Sequence, residues 1–372
     1  MSDLPPEILP PLNDPAFGNR PGPYSASELK TVVGTRINPD SIGWYKRREL
    51  LSSPLCPAKT AAHPELEGWL GDIRSFDPHS RIVQPPPSAW PLSVVIPRMT
   101  IWGDKLPFEI QPGTYMIDYL ALNSDPTAIP TRPWVNNLKD RFPEGSRLLL
   151  SFFGPEGTRG RRPLILGLWT LMEFWYAPFL DQFDGIVMPD FSAYSDDPLP
   201  QMLFGERMMQ MFAQEGSDAG KTVIPSIAWC TEDSLRRQVE VWTSQYPKVN
   251  TILLDCYGSH IDAVGWAWRW LYALEKYCAG KKHIRWLFTG MTSGWAIREL
   301  NRIFPDGNYS LVTSASPQIA ATRGTTDKER MARRFRRAMA KIEDLHSGRM
   351  VADAQPRPDH WPTFAELLRS SQ

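Results

Sequence analysis

Cysteine is scarce in this chain of 372 residues and badly placed for metal chemistry. Cys56, Cys230, Cys256 and Cys278 form no C-x-x-C or C-x-C pair, and no histidine stands at the companion spacing. A structural zinc is therefore not expected. Long apolar runs are missing too, and nothing approaches the roughly 18 residues that a bilayer-crossing helix needs. Nor is there an excess of either charge. Lys plus Arg and Asp plus Glu stand at 41 each, so no global field draws polyanions, and any nucleic-acid surface must come from local clustering. The first seven residues, MSDLPPE, lack a basic segment followed by an apolar stretch. Together these absences predict a cytoplasmic protein with reduced thiols.

Proline, by contrast, is abundant and unevenly spread: 23 of the 36 lie in residues 1–146. Proline fixes φ, removes a donor and restricts its predecessor, so this third is expected to be irregular, with short extended pieces. Trp44, Trp69, Trp90, Trp102, Tyr115, Tyr119 and Trp134 are spread through it and need something to pack on, which argues against disorder. The reading is a proline-rich arm or cap over the main domain, lending it two strands at Leu92 to Pro97 and Tyr115 to Leu120.

After residue 146 the rhythm changes. Apolar runs at Leu148 to Phe153, Ile186 to Met188, Val223 to Ala228, Ile252 to Leu254, Ile284 to Phe288 and Ser310 to Val312 recur about one βα unit apart. Helical patterns separate them, at Leu164 to Leu180, Leu199 to Gln214, Asp233 to Gln245, Ile261 to Cys278 and Ala296 to Phe304. Six such units plus two upstream strands give eight, the count of a (β/α)8 TIM-barrel-like fold. A doubly wound open parallel sheet is the alternative, because periodicity does not distinguish closure from openness. The core domain spans 147–322, and residues 323–372 form a basic helix and tail.

In parallel α/β architectures functional groups gather at the carboxyl ends of strands. Asp190 and Asp255 each terminate an apolar run there, where partial burial suits a carboxyl group to acid or base catalysis. The plainer alternative is that each caps a helix or accepts loop N–H groups. After the first core strand, Gly157, Arg159 and Arg161 within GPEGTRGRR combine open backbone amides with guanidinium groups, a cradle for phosphate or carboxylate, although a solvated loop would look the same. Ser192, Tyr194, Trp229, Tyr257, Thr289 and Ser293 stand at the other strand ends as candidate substrate contacts. Cys256 lies four residues before His260, so a thiol nucleophile is conceivable, with a buried structural thiol the simpler reading. Asp190, Asp196, Asp197 and Asp255 offer oxygen ligands to magnesium or manganese without any motif that announces a metal. Near the end, Arg330, Arg333, Arg334, Arg337 and Lys341 flank an apolar stripe of Met331, Phe335, Met339, Ile342 and Leu345. That helix presents either a solvated outer face or a row of phosphate contacts.

Two stretches resemble known families. Phe183-Asp-Gly-Ile-Val-Met-Pro-Asp190-Phe-Ser192, followed by Tyr194, Asp196 or Asp197, Pro198 and Leu199, resembles the hallmark of an uncharacterised bacterial and phage family, domain of unknown function 4417. The strand Val223-Ile-Pro-Ser-Ile-Ala-Trp229 is similar to a second motif of that family, which differs in having glycine where this chain has Cys230. Phe288-Thr-Gly-Met-Thr-Ser293 and Tyr309-Ser-Leu-Val-Thr-Ser-Ala-Ser316 look like paired motifs of phage relatives of tRNA-guanine transglycosylase, with Val312 or Thr313 where an aspartate is expected. The first resemblance implies the order of elements and the importance of Asp190. The second implies a barrel that exchanges a nucleobase.

These readings converge on an enzyme, transferase or hydrolase, acting on a phosphate-bearing substrate such as a nucleotide or nucleic acid through strand-end aspartates. The alternative is a non-catalytic nucleic-acid-binding accessory protein of a phage or other mobile element, using the basic helix.

Overall fold

The computed structural model describes residues 92–99, 106, 108–122, 129–152, 174–189, 199–229, 232–246, 248–256, 263–313, 316–352, 355, 357 and 359, with some helical residues described by backbone alone. Among the described residues ten short strands are interspersed with helices. They are β1 Val95–Ile96, β2 Arg98–Met99, β3 Thr114–Asp118, β4 Arg147–Ser151, β5 Gly185–Val187, β6 Val223–Ile224, β7 Ser226–Ile227, β8 Thr251–Leu254, β9 Arg285–Thr289 and β10 Tyr309–Val312. Each core strand grows from an apolar run rich in branched and aromatic side chains, the composition that suits a strand buried on both faces.

The protein is an α/β structure with two parallel five-stranded sheets, ordered β1-β10-β9-β8-β7 and β2-β3-β4-β5-β6. The sheets share chain at two places. One residue, Pro97, separates β1 from β2, and one residue, Pro225, separates β6 from β7. Neither proline ends the extended path, because its carbonyl still accepts a bond: Met116 N–H donates to Pro97 O at 3.0 Å and Leu253 N–H to Pro225 O at 2.9 Å. The register runs Ile96 beside Val312 and Arg98 beside Met116 at the first junction, and Ile224 beside Val187 and Ser226 beside Leu253 at the second.

The apolar side chains divide by strand face. Ile96, Met116, Leu149, Val187, Ile224, Leu253, Leu287 and Val312, with Leu92, form a compact cluster of their own, each 6% exposed or less. Their neighbours along each strand, such as Val95, Ile117, Leu150, Ile186, Ile252, Phe288 and Leu311, belong instead to the larger core beneath the helices. Alternation along a strand puts successive side chains on opposite faces, so the strands that contribute to both clusters are packed on both faces. Burying each such side chain contributes about 1.5–3 kcal/mol before the entropy of ordering is set against it.

The helices are α1 Tyr119–Leu122, α2 Leu199–Asp218, α3 Glu232–Glu240, α4 Ala263–Tyr277, α5 Gly294–Ile303, α6 Ser316–Thr322 and α7 Lys328–His346. The segment that the sequence reads as strand to Leu120 thus turns helical at Tyr119. The strand predicted to stop at Pro97 instead resumes as β2. Short 3-10 turns at Phe174–Tyr176 and Pro178–Gln182 occupy the described end of the helix expected at Leu164 to Leu180. Helix α7 begins at Asp327, whose carboxylate accepts from the N–H groups of Glu329 and Arg330, and it buries Met331, Phe335, Met339 and Leu345 on one side. Among the described residues no helix is long and apolar enough to cross a membrane.

Candidate active site at the strand ends

Two residues beyond the apolar cluster, on the same strand face, the side chains become polar. Counting on from Ile96, Met116, Leu149, Ile224, Leu253 and Leu287 gives Arg98, Asp118, Ser151, Ser226, Asp255 and Thr289, all at or just past the carboxyl ends of their strands. The apolar cluster forms the floor beneath these groups.

Five of the strand ends form a continuous arc, since β3, the β1–β2 segment, β10, β9 and β8 are neighbours in turn. At one end of the arc Arg98 Nε donates to both carboxylate oxygens of Asp118, at 2.6 and 2.8 Å. The backbone N–H of Arg98 reaches Thr313 Oγ1 at 3.4 Å, tying in the end of β10. At the other end Thr289 Oγ1 donates to Asp255 Oδ1 at 2.6 Å and accepts from the N–H of Cys256 at 3.3 Å. The side chains of Arg98 and Asp118 are 17% and 19% exposed, enough to be reached from solvent but mostly shielded from it.

Burial raises the Asp118 carboxyl above the ordinary carboxylate range, and the adjacent Arg98 charge and hydrogen bond oppose that rise without cancelling it. A carboxyl group so placed gives and takes a proton nearer neutrality than an exposed aspartate does. The neighbouring thiols are the reverse. Cys256 is buried, and burial first, with the charge of Asp255 second, pushes its thiol well up, so it is held as an unreactive thiol. Cys278 is buried and shifted in the same direction.

Of the residues singled out in the sequence, Asp255 and Thr289 are brought together by a hydrogen bond. Trp229 is 3% exposed and packs edge-on against Trp270, with ring centroids 3.8 Å apart, inside the core beneath the helices. Ser293 is exposed at the N-cap position of α5, where its side chain makes no capping bond. Arg330, Arg333, Arg337 and Lys341 are exposed along α7, Arg333 donating to Glu329 at 2.6 Å, while half-buried Arg334 donates to the carbonyl of Arg323 at 2.9 Å. Asp190, Gly157, Arg159, Arg161, Ser192, Tyr194 and Tyr257 lie outside the described residues, as do Asp196 and Asp197. Arg98 and Asp118 were missed in the sequence, whereas Thr313 was read at a strand end without being singled out as a contact. The available signal was the lone acid ending Thr-Tyr-Met-Ile-Asp118, which has the same form as Leu-Leu-Asp255.

Among the described residues no three His, Cys, Asp or Glu side chains gather as a metal would require. No family model and no curated protein matches this chain. Its functional reading therefore rests on the geometry of the strand ends.

Proposed function

We propose that the chain is an enzyme of (β/α)8-barrel type that acts on a phosphate-bearing substrate, nucleotide or nucleic acid, through acid–base chemistry at the carboxyl mouth. The two parallel sheets are read as halves of one ring joined through Pro97 and Pro225. Merging β1 with β2 and β6 with β7 leaves eight staves, each hydrogen-bonded to two neighbours. The apolar cluster, with one residue from each stave, is then the plug of the barrel. A doubly wound open sheet is the competing description.

The observation that carries the functional reading is the arc of Asp118, Arg98, Thr313, Thr289 and Asp255 over that apolar floor. Two carboxylates in unlike settings, one against a guanidinium and one against a hydroxyl, suit a division into acid and base. Arg98 supplies the charge that orients a phosphate. Asp190, the residue that follows Pro189 after β5, is proposed as a third carboxylate of the same mouth, and Gly157, Arg159 and Arg161 as further phosphate contacts. A divalent metal held by these acids would act through the same groups.

A thermal-shift screen of nucleotides, nucleobases, short DNA and RNA and divalent metals is the test, since a ligand that binds only the folded state raises the melting point. A shift abolished by Asp255→Asn supports the mouth as the site. A shift unaffected by Asp255→Asn and by Asp118→Asn alike places the ligand elsewhere and sinks the reading.

The second reading, a nucleic-acid-binding accessory protein, draws on the exposed Arg330, Arg337 and Lys341 of α7. Phosphate contacts make affinity fall steeply with salt. Oligonucleotide binding that is flat between low and high salt would remove it.

A further inference from the structure

We propose that Arg98 is an anion-exchange site. A phosphate group entering the mouth replaces Asp118 on the guanidinium, and Asp118, left without its counter-charge, takes up a proton and becomes the acid facing the bound group. This rests on the barrel-mouth reading above and names the group that recognises the phosphate.

The contact is built for exchange in three respects. First, the carboxylate straddles a single nitrogen, Nε, at 2.6 and 2.8 Å, where the strongest arrangement seats two oxygens on two nitrogens in parallel. Second, among the described residues Arg98 is the donor that holds Asp118, whereas Asp184 at the opposite strand ends is fixed by the backbone N–H of Leu148 at 2.8 Å as well as by Lys139 at 3.2 Å. A side chain held by one other side chain leaves when that partner is taken; one held by backbone does not. Third, both partners are partly open to solvent, so an anion can approach without unfolding anything.

The charge balance follows. Before exchange the guanidinium cation faces the carboxylate anion; afterwards it faces the phosphate, and Asp118 would be a second anion beside it. Among the described residues Arg98 is the charged group that faces Asp118, while Ser151, beside it in register on β4, and Thr313 are neutral. Repulsion from the phosphate and loss of the cation both favour the neutral carboxyl, so a proton comes from solvent. No bond to carbon or phosphorus changes in this step. The protonated Asp118 is then a hydrogen-bond donor to a phosphate or bridging oxygen, the position a general acid needs for departure of an oxygen leaving group.

The experiment is calorimetric titration of the full chain with inorganic phosphate, and with sulfate, whose charge stays fixed over the working range, in buffers of differing ionisation enthalpy. The expected result is binding with net proton uptake, stronger at pH 6 than at pH 8 for sulfate. Arg98→Gln is expected to lose about tenfold or more in affinity, the scale of one charge-assisted hydrogen bond. Asp118→Asn keeps Arg98 and removes its competitor, so it is expected to bind several-fold tighter and without proton uptake. Should Arg98→Gln fail to fold, Asp118→Asn and Arg98→Lys decide the matter. Weaker binding in Asp118→Asn, unchanged binding in Arg98→Lys and Arg98→Gln, or no phosphate binding by the wild type would each overturn the exchange. If it falls while a nucleotide or metal shift still disappears in Asp255→Asn, the barrel-mouth reading stands without it.

Discussion

At the amino ends of the strands, Arg285 donates to Ser310 Oγ at 3.0 and 3.2 Å and to the carbonyls of Tyr309 and Leu92 at 3.4 and 3.5 Å. Nearby, the N–H groups of Ser93 and Thr114 each donate to the other residue's hydroxyl, at 3.2 and 2.9 Å. At the carboxyl ends, Arg98 meets Asp118 and Thr289 meets Asp255, side chain to side chain. Both ends carry an arginine and hydroxyl side chains, but the amino-end arginine reaches backbone carbonyls as well as a hydroxyl, whereas at the carboxyl end both carboxylates, Asp118 and Asp255, are met by side chains. Backbone partners cannot be displaced without opening the sheet. Side-chain partners can swing away for a ligand. The same residue types thus make a fastening at one end and an adaptable surface at the other, and the apolar cluster keeps the two apart.

Leu287→Ala removes a fully buried side chain from the apolar cluster and is expected to cost about 2–5 kcal/mol in urea unfolding. A cost well under 1 kcal/mol would mean that the cluster is not packed as a floor. Arg285→Gln tests the fastening. It leaves the acceptors around Leu92, Tyr309 and Ser310 short of a charged donor, for a loss of about 1–3 kcal/mol, with phosphate and nucleotide binding unchanged. Altered ligand affinity in that variant would contradict the division between the ends.

Asp118→Asn is expected to have a smaller effect, of opposite sign. Because the folded protein holds the Asp118 carboxyl above its ordinary range, the native state keeps a proton that the unfolded chain has already released. Stability therefore falls as pH rises through that window, and the charged carboxylate is a burden at neutrality. The asparagine variant is expected to melt slightly higher than wild type at pH 7, with the gain fading below pH 4, where the wild-type carboxyl is also neutral. A lower melting point at pH 7 would show that Asp118 serves stability, as the amino-end residues do.

Much of this arrangement was legible in the sequence. The core strands announced themselves because a strand packed on both faces must be apolar throughout, and β4 to β10 lie on the expected runs. Asp255 was legible because it follows Leu254 at the point where the apolar pattern stops. Arg98 was hidden by Pro97, since a residue without an N–H reads as the end of a strand. What the sequence does not display is that the missing donor is harmless when only the carbonyl is needed. Asp118 was hidden differently: with aromatic Tyr119 and Leu120 after it, it read as a mid-strand residue, and only the turn into α1 places it at a strand end. Pairing between Thr289 and Asp255 depends on β8 and β9 being adjacent and in register, which local pattern does not specify. Whether eight staves close or lie open is equally a matter of which strands meet, not of what any one strand contains.

The pairing of β1 with β10 has a consequence for biosynthesis. The N–H of Arg98 bonds to Thr313, 215 positions further along the chain. At a ribosomal pace of about 5–20 residues per second, β1 waits roughly 10 to 40 seconds for the neighbour that will cover it. An idle strand edge is a template for the wrong partner, another nascent chain included. Pro97, set between the β10-facing residues Ile96 and Arg98, fixes φ there and removes a donor from the β3-facing side, which makes the strand a poor template while leaving the Pro97 carbonyl for Met116. Pro97→Val is accordingly expected to leave the finished protein folded but to raise the aggregated fraction during cell-free synthesis. Equal aggregation in both chains would show that the proline guards nothing.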